Sequence, residues 1–292
     1  MNYHEIFYRS ADGLLLYARD YGPGTHGLMP VLCLPGLTRN AKDFHALASR
    51  LAPQRRVVAA DFRGRGRSQY SPEPATYRPQ QELADTLVLM NHLDLPRVAV
   101  AGTSRGGLVG LLMAGSARER LAGIAFNDIG PRLEPGGLLR IRSYLGTDPQ
   151  FASWDEAAAA LKATNPGLQT LNENEWRNFA TLVFRDEGGV PRADYDPFLA
   201  TTFPTENDIV SGKVPDLWTL FDSVPPLPAL VLRGEHSDLL SAATVAEMRR
   251  RHPGLAAVTV ANRGHVPFLD EPECIAAIGR WLAEVDLAAR GN

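Results

Sequence analysis

The chain has 292 residues, 45% of them hydrophobic, and sets 33 acidic against 30 basic side chains for a net charge of −3. That balance excludes a disordered chain and carries no overall electrostatic footprint for nucleic acid or an anionic membrane. The longest apolar run, Gly106 to Gly115, falls far short of the roughly 20 residues of a bilayer span, and Glu5, Arg9 and Asp12 interrupt any signal-peptide core, so a cytoplasmic address is expected.

The first elements along the chain are two strands, Ile6 to Arg9 and Leu14 to Asp20, around an Ala11-Asp12-Gly13 turn; they predict an antiparallel hairpin at a sheet edge. Val31 to Leu34 is the next strand, then a helix from Asp43 to Leu51 and a strand from Val57 to Ala60. A helix from Gln80 to Leu93 follows, with Leu83, Leu87, Met90 and Leu93 at the spacing of a buried face. Val98 to Ala101, a helix from Gly107 to Ala117 and Ile124 to Phe126 continue the alternation of short apolar strands with longer helices. This rhythm is that of an α/β fold, a mostly parallel sheet with crossover helices on both faces.

The rhythm breaks between Pro131 and Val224, where helix-like pieces such as Trp154 to Ala163 and Glu173 to Val183 sit among many prolines and glycines. We read residues 131–224 as a helical cap inserted into a core made of 1–130 and 225–292. Its aromatics, among them Tyr144, Trp154, Trp176, Phe179, Phe184, Tyr195, Phe198, Phe203, Trp218 and Phe221, are assigned mostly to a small core of its own. The sheet resumes with Ala229 to Leu232 and Ala257 to Val260, alternating with helices Ala242 to Arg251 and Glu273 to Ala289. Two cysteines, Cys33 and Cys274, cannot make a disulfide framework and read as buried small hydrophobes in a reducing compartment.

Chemistry concentrates where strands end. Gly102-Thr103-Ser104-Arg105-Gly106 follows a strand and opens a helix, the context in which G-x-S-x-G makes a nucleophile elbow. A serine hydroxyl needs a base, and His265 lies in the loop after the last strand; Asp238, after the preceding strand, is the carboxylate chosen to orient it. Asp128 also leaves a strand at that edge and is the rival acid, read instead as holding the entry to the insertion. The backbone N–H groups of Leu37, in the Leu34-Pro35-Gly36-Leu37 loop, and of Arg105 are the expected oxyanion donors. No dinucleotide fingerprint, phosphate-binding loop or H-E-x-x-H motif is present, so no cofactor and no metal are expected.

Taken together in this order, the Pro35 to Leu37 loop, D-F-R-G-R-G-R-S from Asp61 to Ser68, the elbow at Ser104, R-G-E-H-S-D ending at Asp238 and R-G-H-V-P-F around His265 resemble the α/β-hydrolase superfamily, from about Tyr3 to Ala289. The resemblance implies the α/β-hydrolase fold with a cap, and a cofactor-independent serine carboxylesterase acting on small or medium acyl esters. It places Arg63, Arg65 and Arg67 in a loop near the rim of the site. Two positions depart from the family's habit: Pro35 stands where many members have histidine, and Arg105 where bacterial relatives often have methionine. Hydrolysis of carbon–carbon bonds in ring-cleavage diketones, of lactones or of polyesters uses the same triad and stays open, as does a ligand-binding protein on a hydrolase scaffold. The expected partner is a small-molecule ester, with neither nucleic acid nor membrane.

Overall fold

The structure is a computed structural model and describes residues 3–22 and 27–291. The first half of the chain supplies strands β1 (His4–Arg9), β2 (Leu15–Tyr21), β3 (Val31–Leu34), β4 (Val57–Asp61), β5 (Val98–Thr103) and β6 (Leu121–Asn127), with helices α1 (His45–Leu51), α2 (Pro79–His92) and α3 (Arg105–Ser116). Between residues 128 and 228 come α4 (Pro135–Tyr144), α5 (Trp154–Thr164), α6 (Glu173–Val183), a hairpin of β7 (Phe184–Glu187) and β8 (Val190–Ala193), and the short helices α7 (Glu206–Val210) and α8 (Trp218–Phe221). The chain then rejoins the sheet through β9 (Ala229–Gly234), α9 (Ala242–Arg251), β10 (Leu255–Val260) and α10 (Pro272–Arg290).

One eight-stranded sheet runs in the order β1-β2-β4-β3-β5-β6-β9-β10. β1 and β2 are antiparallel, as is β2 with β4; every other pairing in it is parallel. The central strands are buried along their whole length, which explains their near-continuous apolar sequences. Alternate residues serve opposite faces: Leu32, Val58, Val100 and Ile124 pack in one core with residues of α2 and α3, while Cys33, Ala59, Ala101 and Leu232 pack in another with Leu47 of α1 and Ile278 and Trp281 of α10. Parallel pairing aligns the C-terminal ends of β3, β5, β6, β9 and β10, so the loops after them share one edge. Among the described residues no helix is long and apolar enough to cross a membrane.

The segment between β6 and β9 has a core of its own only in part. Trp154, Trp176, Phe179 and Phe184 form it with Ala157, Ala180 and Leu168. Leu138, Ile141, Ile209 and Phe221 instead join the sheet's core, Tyr195 packs in a third cluster with Tyr77 and Leu199, and Phe198 is exposed. The ends of the insertion are therefore extensions of the main core, and its independent packing is confined to the region around α5 and α6.

Candidate active site

At the end of β5 the backbone turns directly into α3, and Ser104 at the junction has φ 48°, a left-handed value that costs a side-chain-bearing residue about 1–3 kcal/mol. The turn is possible because the residues two away on either side lack side chains: a Cβ on Gly106 would run into the Leu34 carbonyl, and one on Gly102 would lie 2.5 Å from the Gly107 nitrogen. Ser104 N–H donates to Asn127 O at 3.0 Å, strapping the elbow to β6. The hydroxyl stands at the N-terminus of α3, where unpaired N–H groups and the helix dipole favour negative charge.

His265 Nε2 lies 3.0 Å from Ser104 Oγ, and its Nδ1 lies 2.7 Å from Asp128 Oδ2. A carboxylate at Nδ1 places the ring proton there and leaves Nε2 free to accept from the serine. Asp128 is fully buried, and its charge is met by three donors: the Gly234 N–H at 2.8 Å, the Ser237 hydroxyl at 2.5 Å and His265. The loop carrying His265 is tied down on both sides. Glu271 Oε1 accepts from Arg263 Nε at 2.6 Å and from Phe268 N–H at 3.0 Å, while Asn127 Nδ2 donates to Pro267 O and to Thr103 Oγ1.

The expectation that Asp238 orients His265 is overturned. Its carboxylate is held by Arg140 of α4, with Nε 2.5 Å from Oδ2 and Nη2 2.9 Å from Oδ1. After β9 the chain makes a tight turn, with Ser237 N–H donating to Gly234 O. This turn aims Ser237 at Asp128, and Asp238, one residue on, faces the other way, with its carbonyl accepting from Gly137 N–H. Burial works to raise the Asp238 pKa, but the Arg140 hydrogen bonds and charge outweigh it and hold the carboxyl below its usual range. The R-G-E-H-S-D segment thus serves the histidine through its glycine N–H and its serine. His236 is exposed, with Nε2 3.8 Å from Glu235.

The loop after β3 lies against the elbow: a Cβ on Gly36 would sit 3.9 Å from Ser104 Cβ. Among the described residues neither the Leu37 N–H nor the Arg105 N–H has an acceptor. The Arg105 side chain pairs with Glu82, Nε to Oε2 at 2.6 Å, and donates from Nη2 to Tyr77 O at 3.0 Å. Arg63 and Arg65, expected near the rim, are instead fully buried; Arg63 pairs with Asp85 and Asp12, and Arg65 with Glu82. Beside His265 opens a small cleft lined by Arg140, His236, Asp238 and the Asn165 to Leu168 turn of the insertion. Gly167 and Gly264 meet there backbone to backbone, since a Cβ on Gly167 would lie 2.5 Å from Gly264 Cα.

Residues 31–277 match the model of an alpha/beta hydrolase family. The chain is 34% identical over 252 residues to a 3-hydroxybutyrate-oligomer hydrolase from Cupriavidus necator, covering 84% of this chain and 85% of that protein. A 2-(acetamidomethylene)succinate hydrolase from Mesorhizobium japonicum is 25% identical, over 89% of this chain and 88% of the other. Among solved structures, an alpha/beta hydrolase from Novosphingobium aromaticivorans superposes with a TM-score of 0.89 at 42% identity, covering 97% of this chain and 98% of that one. The sheet order, the turn at Ser104 and these matches have one meaning: the chain is a hydrolase and belongs to the alpha/beta hydrolase family.

Proposed function

We propose that the protein is a serine carboxylesterase acting on short, polar acyl esters, with Ser104 as nucleophile, His265 as base and Asp128 as the acid that orients it. The observation that carries this reading is the continuous relay from Asp128 through His265 to Ser104, at 2.7 Å and 3.0 Å, ending on a strained elbow. In the first half-reaction Ser104 Oγ attacks the ester carbonyl while its proton passes to His265 Nε2. The charge that develops on the carbonyl oxygen meets the N–H groups of Leu37 and Arg105. Collapse of the tetrahedral species breaks the ester C–O bond, and His265 returns its proton to the departing alcohol. Water then attacks the acyl-serine, giving a proton to His265, which returns it to Ser104 Oγ as the acyl–oxygen bond breaks and the acid leaves.

The cleft beside His265 supports the acyl preference. Burying a long aliphatic chain against Arg140, Asp238 and His236 would strip water from an ion pair and a polar imidazole without replacing it. The 3-hydroxybutyrate-oligomer hydrolase among the relatives supports the same class, esters whose acid and alcohol parts are both short hydroxy acids. The test combines a fluorophosphonate label with turnover. The label is expected on Ser104 alone, and turnover of p-nitrophenyl esters is expected to be highest with short acyl groups and accompanied by cleavage of 3-hydroxybutyrate dimers and trimers. Labelling at another residue, or no turnover of any ester by labelled-competent protein, overturns the reading.

A further inference from the structure

Helix α2 carries a glutamate in its first turn, Glu82, whose side chain is fully buried although an isolated buried carboxylate is strongly disfavoured. Two arginines meet it. Arg105 brings Nε to 2.6 Å from Oε2, and Arg65 brings Nη2 to 2.8 Å from Oε1, the latter an ion pair at a poor hydrogen-bond angle. Burial alone would raise the Glu82 pKa, but the Arg105 and Arg65 charges prevail and hold it below the usual carboxylate value, so the anion is kept. Each arginine belongs to a different wall of the site. Arg105 is the first residue of α3, immediately after the nucleophile. Arg65 is also fully buried; its Nε donates to the Leu37 carbonyl at 2.7 Å and its Nη1 to the Arg63 carbonyl at 2.6 Å.

We infer that Glu82 is a positioning residue for the oxyanion hole: this single buried carboxylate, acting through Arg65 on Leu37 and directly on Arg105, sets the spacing of the two backbone N–H donors. The inference rests on the esterase reading above. Its physical content is that the two donors belong to segments remote in sequence, one after β3 and one opening α3, and catalysis needs them to converge on one oxygen. Leu37 is held through its carbonyl, one peptide on from its N–H, and Arg105 through its side chain, and both restraints end on one carboxylate. A buried anion between two guanidinium groups resists displacement, because moving either arginine leaves a charge unpaired out of water.

The experiment compares Glu82→Gln and Arg105→Met with the wild type. Three quantities are read: kcat and KM on a p-nitrophenyl ester, the affinity of a trifluoromethyl ketone that forms an oxyanion on Ser104, and the affinity of the matching secondary alcohol that cannot. Glu82→Gln is expected to lower kcat about 10- to 100-fold, in the range of a lost oxyanion donor or somewhat below it. KM is expected to stay within about threefold, the pattern of an interaction made in the transition state. Ketone affinity should fall with kcat while alcohol affinity holds. A purely structural role would reduce the amount of folded enzyme without separating ketone from alcohol. Folded Glu82→Gln with wild-type kcat and ketone affinity overturns the inference alone, since wild-type labelling at Ser104 tests the esterase reading separately. A wild type that neither labels at Ser104 nor turns over esters overturns both. If Glu82→Gln does not fold, Arg105→Met decides in the same way: an unchanged kcat and ketone affinity overturns the inference.

Discussion

Two aspartates leave neighbouring strands at the same sheet edge, and their burial and hydrogen bonds tell them apart. Asp128 is fully buried and has three donors, one of them His265, whereas Asp238 is partly exposed and is satisfied by Arg140. Asp128→Asn should therefore place an amide where His265 needs an acceptor, favour the wrong tautomer and lower kcat by about 10⁴-fold, the size seen when a triad acid is neutralised. Asp238→Asn leaves the relay intact and should change kcat by less than about tenfold, with the larger effect on KM because the cleft loses a charge. Steady-state kinetics on one ester, with circular dichroism to show both variants folded, checks this; equal losses in the two variants would contradict the assignment. The serine and the histidine that the structure brings within hydrogen-bond distance were legible in the sequence because each sits in a local pattern, glycines around a serine and a glycine before a histidine. The choice between the two aspartates was not, since a one-residue difference in where a turn falls decides whether position 237 or 238 faces inward.

At the scale of elements, the strands and main helices were legible wherever apolar runs or helical spacing marked burial. Two features carried no such signal. The β7–β8 hairpin, Phe184–Glu187 with Val190–Ala193, is largely polar and turns at Gly188 and Gly189, both at positive φ, so its signal lies in the turn and not in any alternation. Helix α2 shows its apolar row, yet Glu82 and Asp85 are buried too, because the arginines that meet them come from a distant loop and from the start of α3. Packing around α5 and α6 makes a further expectation. Trp176 is fully buried at the centre of that small core, and its Nε1 has no acceptor among the described residues. Trp176→Ala should cost about 3–5 kcal/mol locally, as removal of a large buried aromatic does. Limited proteolysis should then cut within residues 151–184 while the sheet remains protected. Trp176→Phe keeps much of the ring and removes the unpartnered N–H, so it should resist cleavage much better. Phe179 packs on Phe268 at 5.2 Å between ring centroids, so Trp176→Ala should also loosen the His265 loop and reduce turnover.

On the scale of the whole molecule, the sheet is joined to the loops of the site by Asp61, at the end of β4. Its Oδ1 accepts from the Ala41 N–H at 2.7 Å and its Oδ2 from the Arg67 N–H at 2.8 Å, so it ties the segment after the Pro35 to Leu37 loop to the arginine-rich one. Burial raises its pKa from 3.8 to about 6, more than the two backbone N–H groups lower it, and the Asp194 charge adds to the rise. A carboxyl whose folded pKa exceeds its unfolded value favours folding while both states are protonated. That contribution is complete below about pH 4 and is lost as pH rises through about 6. The shift corresponds to about 3 kcal/mol at about 1.4 kcal/mol for each pKa unit. Asp61→Asn keeps the shape and does not titrate, so it isolates this term from the other carboxylates. Denaturant unfolding of both proteins at pH 4 and pH 7 should show wild type losing about 2–3 kcal/mol relative to Asp61→Asn between the two. A difference that is constant with pH, or that grows in favour of wild type, would mean that Asp61 is already ionised in the fold at pH 4. In that case its two N–H donors, and not its burial, would control the charge that joins the sheet to the site.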